Sequence, residues 1–145
     1  MIIFDIEISD SALEFFKKNK GFLSDFNLIN NEIKNTCGIN NFFTYSDEAL
    51  ELLNKIDSSR TLVSEPNRRE YGDFQTNTIL SNQVVERVLS ESQNIEFVIE
   101  PTCGKGSFIL ASIQKLESLQ KVIGVEIHKP YVWEAKFNIL TFYLE

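Results

Sequence analysis

The chain of 145 residues is 43% hydrophobic and 24% charged, a composition typical of a soluble globular protein with about one domain and its own core. Its 21 acidic and 14 basic residues give a net charge of −7. This charge argues against a chain that grips DNA by itself, because Lys and Arg neutralise the phosphates in such complexes.

The sequence also indicates a compartment. No run of 18 apolar residues occurs and the first ten residues lack a basic stretch, so we expect neither a membrane span nor a secretory signal. The only cysteines, Cys37 and Cys103, stand 66 residues apart, and His128 is the only histidine. These counts argue against a zinc site and favour a cytoplasmic protein with free thiols.

Residues 1–62 are predicted to be a helical N-terminal segment that covers or extends the domain after it. Polar caps and apolar residues at helical spacing indicate three helices: one capped by Ser9, Asp10 or Ser11 and broken by Gly21, one over residues 22–35, and one capped by Ser46. Residues 2–8, IIFDIEI, alternate well enough to be a strand instead, and this alternative stays open.

A polar connection over residues 58–69 is predicted to separate this segment from a second domain over residues 63–145. Thr76 or Thr78 then caps an amphipathic helix that is expected to lie on the first strand. Its buried side is predicted to consist of Ile79, Leu80, Val84, Val85, Val88 and Leu89.

Residues 97–126 have the pattern of a strand, a glycine turn, a helix and a second strand that ends in an acid. The apolar runs 97–99 and 122–125 predict strands buried on both faces, as in a parallel sheet. Gly104 and Gly106 permit a sharp turn and the close approach of a ligand. A βαβ unit of this kind predicts parallel strands with a right-handed crossover. Pro130 then starts a largely apolar helix that is expected to cover the second strand.

Three kinds of nucleotide site compete at this turn. A Walker phosphate loop fails, because Ile99 stands where its first glycine belongs and Gly106 follows Lys105 in place of Ser or Thr. A dinucleotide fingerprint requires a third glycine where this chain has Ile109. A cofactor with an adenosine but no phosphates, such as S-adenosylmethionine, requires only the turn and a ribose-binding acid. Glu126 lies 20 residues beyond Gly106, about where that acid is expected.

Three segments resemble the adenine-specific DNA methyltransferases of restriction-modification systems. Residues 100–108, EPTCGKGSF, resemble the cofactor-binding motif of that family, and residues 124–130, GVEIHKP, resemble its next motif. Residues 69–76, REYGDFQT, resemble the segment that packs over the methionine end of the cofactor. The resemblance covers residues 66–142, about half of the chain. It implies a partial Rossmann-like methyltransferase fold, a parallel βαβ with flanking helices, over residues 63–145.

The resemblance also implies which residues hold S-adenosylmethionine. Glu126 accepts from the ribose hydroxyls, Ile127 contacts the adenine, and the glycines let the backbone approach the ribose and carboxylate. Glu100 accepts from a backbone amide or from the amino group of the methionine. The expected site consists of Tyr71, Phe74, Gln75, Thr76, Glu100, Pro101, Thr102, Cys103, Gly104, Gly106, Phe108, Glu126 and Ile127.

One family motif is missing from the chain. The family holds its target base with Asn, Asp or Ser followed by Pro-Pro and an aromatic residue, whereas Pro66, Pro101 and Pro130 are not adjacent. We therefore expect no catalytic residues and no transfer by the chain alone. The remainder of a longer methyltransferase, or a complementing subunit, is expected to complete the sheet and to bring DNA. The alternative is a non-catalytic interaction or regulatory module with a degenerate turn.

Overall fold

The computed structural model describes residues 8–58, 75–92 and 94–145. The predicted contacts of Tyr71 and Phe74 and the possible strand at residues 2–8 fall wholly or largely outside these residues. The described residues form two compact units. One lies within Met1–Ser64 and Lys136–Glu145, and the other lies within Glu65–Ala135. The predicted boundary near residue 62 stays a prediction.

The N-terminal unit is built from short helices, in agreement with the sequence. Its elements are α1 (Asp10–Lys18), a 3-10 turn (Lys20–Phe22), α2 (Phe26–Cys37) and α3 (Ser46–Ser58). Ser9 caps α1 by accepting from the amide of Ala12. The prediction that the second helix starts at Phe22 is wrong, because Asp25 caps α2 with its side chain and the chain before it forms the 3-10 turn.

An aromatic cluster forms the core of this unit. Phe16 and Phe42 are fully buried and contact the ring of Phe137, with centroid distances of 5.9 and 5.3 Å. Phe42 and Phe43 pack edge to face at 5.0 Å. On α3, Ala49 and Leu52 are fully buried, whereas Leu50 is exposed.

The second unit contains α4 (Thr78–Glu91), β1 (Phe97–Glu100), α5 (Ser107–Lys115) and β2 (Lys121–Gly124). The two strands pair in parallel, with Val98 opposite Val122 and Glu100 opposite Gly124. The predicted parallel βαβ is therefore confirmed, and it gives the described residues a mixed α/β architecture. Asn77, and not the predicted Thr76 or Thr78, caps α4 by accepting from the amide of Leu80.

The prediction of strands buried on both faces is wrong. Val98 packs against a small core made by Val85, Ala111 and Leu116. Its neighbours in sequence point to the opposite face, where Phe97 is 62% and Ile99 69% exposed. One face of the two-stranded sheet is thus covered by apolar side chains, whereas the apolar side chains on the other face are exposed to solvent.

The buried side predicted for α4 is also largely wrong. Most of its apolar residues are exposed, and the helix buries Ser81 and Val85, one turn apart, while it packs chiefly against α5. The exposed members of the predicted set are Ile79, Leu80, Val84 and Val88.

The last helix, α6, runs over Lys129–Leu144 and begins one residue before Pro130. From Lys136 onward the helix belongs to the N-terminal unit, where Phe137 and the fully buried Leu140 lie in the core. The prediction that the helix covers the second strand stays a prediction, and Ile123 of β2 is 42% exposed. No helix among the described residues is both long and apolar enough to cross a membrane.

Candidate functional site

Hydrogen bonds to the end of the second strand hold the glycine turn between β1 and α5. The amide of Val125 donates to the carbonyl of Glu100 at 2.8 Å, and the amide of Cys103 donates to the carbonyl of Val125 at 2.9 Å. Gly104 and Gly106 both have positive φ, at +49° and +85°, which glycine adopts without steric cost. The sheet ladder therefore continues directly into the turn.

Glu126 brings the two predicted motifs together. Its Oε2 accepts from the amide of Gly104 at 3.0 Å, and its Oε1 accepts from the amide of His128 at 2.8 Å. One carboxylate thus joins two backbone amides that lie on different segments of the chain. Charge-assisted bonds of this kind are stronger than bonds between neutral groups, so Glu126 fixes the position of the turn as well as presenting an acid beside it.

Gln75 also contacts the turn. Its Oε1 accepts from the amide of Lys105 at 3.0 Å. The same oxygen lies where a Cβ on Gly104 would stand, so the missing side chain of Gly104 makes room for the Gln75 amide. The sequence placed Gln75 beside the turn, and the structure brings the two together.

Several residues around the turn were not predicted. The Lys105 ammonium pairs with Glu134 at 2.5 Å and lies over the ring of Tyr131, 5.9 Å from its centroid. Tyr131 and Glu134 are three residues apart on α6, and this spacing puts them on one helix face. That spacing is the only sequence signal for the cluster.

Two glycines of the unit make room for protein side chains. A Cβ on Gly106 would stand 3.2 Å from the Cβ of Ala135, and one on Gly124 would stand 2.6 Å from Cδ1 of Ile109. Ile109, the large residue that excluded a dinucleotide fingerprint, is therefore accommodated by the absence of a side chain at Gly124. Sequence reasoning missed this pairing, because the two residues lie on separate elements.

The other predicted site residues surround the turn with different exposures. Pro101 and Thr102 are exposed, Thr76 is half-buried, and Ile127 is 87% exposed. The hydroxyl of Thr102 donates to Glu100 at 3.4 Å. Phe108 packs against the small core between α4 and α5.

Cys103 is a half-buried free thiol in this turn. Burial raises the pKa of the Cys103 thiol, and the negative charges of Glu126 and Glu100 raise it further. Both effects disfavour the thiolate. The residue therefore serves as a small neutral group, and the structure gives it no features of a nucleophile.

Comparison with known proteins relates the chain to methyltransferases. The Type II methyltransferase M.NspV of Nostoc sp. (strain ATCC 29411 / PCC 7524) is 38% identical over 72 residues, half of this chain. The matched region spans 15% of the length of that protein. No protein-family model matches the chain, and no solved structure matches it.

Proposed function

We propose that this chain is the S-adenosylmethionine-binding portion of a DNA adenine methyltransferase of a restriction-modification system. The observation that carries the proposal is the contact between the carboxylate of Glu126 and the amide of Gly104. It joins the acid of one predicted cofactor motif to the glycine of the other. The similarity to a Type II methyltransferase supports the same conclusion from the sequence side.

The residues present fit an adenosine-type cofactor that lacks phosphates. Gly104 has no side chain, so a polar group can lie close to its backbone, and the side-chain oxygen of Gln75 lies there in this structure. Glu126 offers further lone pairs on each oxygen, as a carboxylate does, for ribose hydroxyls. Ile127 exposes its side chain next to that acid, where it would lie against an adenine ring.

When bound, S-adenosylmethionine would supply the methyl group on a sulfonium. Among the chain's own residues, Gly104 and Lys105 would approach its polar end, Glu126 would orient the ribose, and Gln75 and Thr76 would close over the methionine. Glu100 would accept from its amino group. These roles involve binding and orientation, and none of them moves a proton.

We assign methyl acceptance to a part of the enzyme outside this chain. The sequence has no adjacent prolines before an aromatic residue, so no motif here holds a flipped base. The net charge of −7 disfavours DNA binding by this chain alone. We accordingly propose that DNA contacts come from the remainder of a methyltransferase chain or from a complementing subunit.

The exposed side of the sheet supports such a partner. Phe97, Ile99 and Ile123 expose apolar surface on one side of the two strands. Parallel sheets are normally covered on both faces. A partner that adds helices to this side would bury these residues.

Calorimetry with S-adenosylmethionine tests the cofactor assignment. We expect heat of binding from the chain and at least tenfold weaker affinity for Glu126→Ala, because two hydrogen bonds to a charged group are removed. Since Glu126 also anchors the turn, urea unfolding of the variant is measured in parallel and only folded protein is titrated. Glu117→Ala removes an exposed glutamate of the same unit and should leave the affinity unchanged.

Two results would contradict the proposal. If folded protein gives no heat and Glu126→Ala changes nothing, the chain is better described as a non-catalytic interaction module. If the chain alone transfers methyl groups to DNA, the assignment of the acceptor site to another part of the enzyme is wrong.

A further inference from the structure

The carboxamide of Gln75 occupies a space inside the glycine turn. Its oxygen accepts the hydrogen bond of the Lys105 amide at 3.0 Å. The same oxygen fills the space that Gly104 leaves by having no side chain. A ligand group that enters the space beside Gly104 would therefore have to displace this oxygen.

Gly106 and Gly124, the other glycines among the described residues of this unit, offer no comparable opening. The space at Gly106 is filled by Ala135, and the space at Gly124 is filled by Ile109 and Cys103. Ala135 and Ile109 are buried, and displacing them would disturb close packing. The Gln75 side chain is half-buried, and rotation about its own bonds would move its carboxamide without displacing the backbone.

The hydrogen-bonding chemistry of the position also points to a ligand. The Lys105 amide is a backbone donor just before α5, where the partial positive charge of a helix N-terminus favours an anion. A carboxamide oxygen and a carboxylate oxygen are both planar acceptors, and the carboxylate binds the more strongly because it is charged. A carboxylate can thus replace the Gln75 oxygen without a change in the backbone.

We propose that Gln75 is a displaceable placeholder. Its side-chain oxygen occupies the position that a carboxylate oxygen from the amino-acid end of the cofactor takes on the Lys105 amide. This inference rests on the proposed function. It adds that Gln75 competes with the cofactor at this donor, in contrast to a residue that only closes over it.

Substitutions at Gln75 distinguish a side chain that competes with the cofactor from one that helps to bind it, because the two roles predict opposite changes in affinity. Gln75→Ala should tighten S-adenosylmethionine binding by about two- to tenfold, the range that one net hydrogen bond gives. Gln75→Glu should weaken it by about threefold or more, because the new carboxylate holds the Lys105 amide more firmly and repels the ligand's own carboxylate. Gln83→Ala, at an exposed glutamine of α4, is the matched control and should change nothing.

A second ligand tests the assignment to the amino-acid end. 5′-Methylthioadenosine has the adenosine but no amino-acid carboxylate, so its affinity should be the same for the unmodified chain and Gln75→Ala. The amide resonance of Lys105 in a nitrogen-proton spectrum should shift with S-adenosylmethionine more than with 5′-methylthioadenosine. Circular dichroism establishes that each variant is folded before titration.

The outcomes separate the two proposals. Suppose that the unmodified chain binds S-adenosylmethionine and that Gln75→Ala binds it equally or more weakly. The placeholder proposal is then wrong, and the proposed function is unaffected. Equal tightening for 5′-methylthioadenosine overturns the assignment to the carboxylate. If the unmodified chain and both Gln75 variants fail to bind, both proposals fall, whereas binding by Gln75→Ala alone supports both.

Discussion

Single residues at the glycine turn combine two tasks. Glu126 positions the turn through the amides of Gly104 and His128, and we assign it the ribose as well. Gln75 likewise accepts from Lys105 at a donor that we assign to the cofactor. Backbone donors and acceptors that are buried need partners, so side chains satisfy them here at positions suited to a ligand.

Cys103 provides a test of the electrostatics around this turn. Burial, followed by the charges of Glu126 and Glu100, raises the pKa of its thiol, so little thiolate is present at pH 8. We expect alkylation of Cys103 by iodoacetamide to be slower than that of an exposed thiol and to accelerate only at a higher pH than the exposed thiol does. Peptide mass spectrometry measures the rate at Cys103 separately from that at the buried Cys37.

The variant Glu100→Gln sharpens the alkylation experiment. It removes one negative charge near the thiol, lowers its pKa and should raise the rate at pH 8 by roughly twofold. Glu117→Gln removes a charge at an exposed position that does not figure among the causes of the shift and serves as control. Fast alkylation of the unmodified chain near neutral pH would contradict the raised pKa.

At the scale of elements, a buried asparagine fixes the loop between α2 and α3. Asn30 donates through Nδ2 to the carbonyl of Phe43 and accepts from the amide of Phe43, both at 2.8 Å. Asn30→Ala would remove both of these hydrogen bonds from the core. We expect the free energy of unfolding to fall by about 2–4 kcal/mol, measured by urea denaturation followed by circular dichroism.

The neighbouring asparagine supplies the control for this prediction. Asn31 is exposed on the same helix, and Asn31→Ala should change the free energy of unfolding by less than about 0.5 kcal/mol. Equal effects of the two substitutions would show that the Phe43 hydrogen bonds do not stabilise the loop.

The sequence predicted which elements form better than which side of each is buried. The existence of α1, α5 and the two strands follows from caps, spacing and short apolar runs. In α4 the same pattern marked four residues as buried that are exposed. Helical periodicity identifies an apolar face, but it does not show which other element, if any, packs against that face.

The candidate site was predictable to a similar degree. The order of motifs placed Gln75, Gly104 and Glu126 together, because the carboxyl ends of adjacent parallel strands lie at one edge of a sheet. The neighbours of the remaining glycines were not predictable. Contacts such as that of Ile109 with Gly124 depend on how an element crosses another, and no local pattern records that geometry.

At the scale of the whole molecule, the distribution of apolar surface is uneven. Phe97 and Ile99 of β1 are exposed beside Ile123 of β2, and the strand order contains only two members among the described residues. An exposed apolar patch on a protein commonly marks an interaction site. The exposed apolar side of the sheet is therefore consistent with the proposed partner, and this observation does not depend on any motif.

Adjacent residues on the two faces of β1 test this asymmetry. Val98 packs against the core of Val85, Ala111 and Leu116, so Val98→Thr should lower the free energy of unfolding by about 1–2 kcal/mol through a poorly accommodated hydroxyl. Ile99→Thr keeps a β-branched residue on the exposed face and should change it by less than about 0.5 kcal/mol. The same variant should reduce the fluorescence of bound anilinonaphthalene sulfonate, whereas Val98→Thr should not. Equal destabilisation by both variants, measured by urea unfolding, would mean that the open face is covered in solution, and the argument for a partner at this sheet would fail.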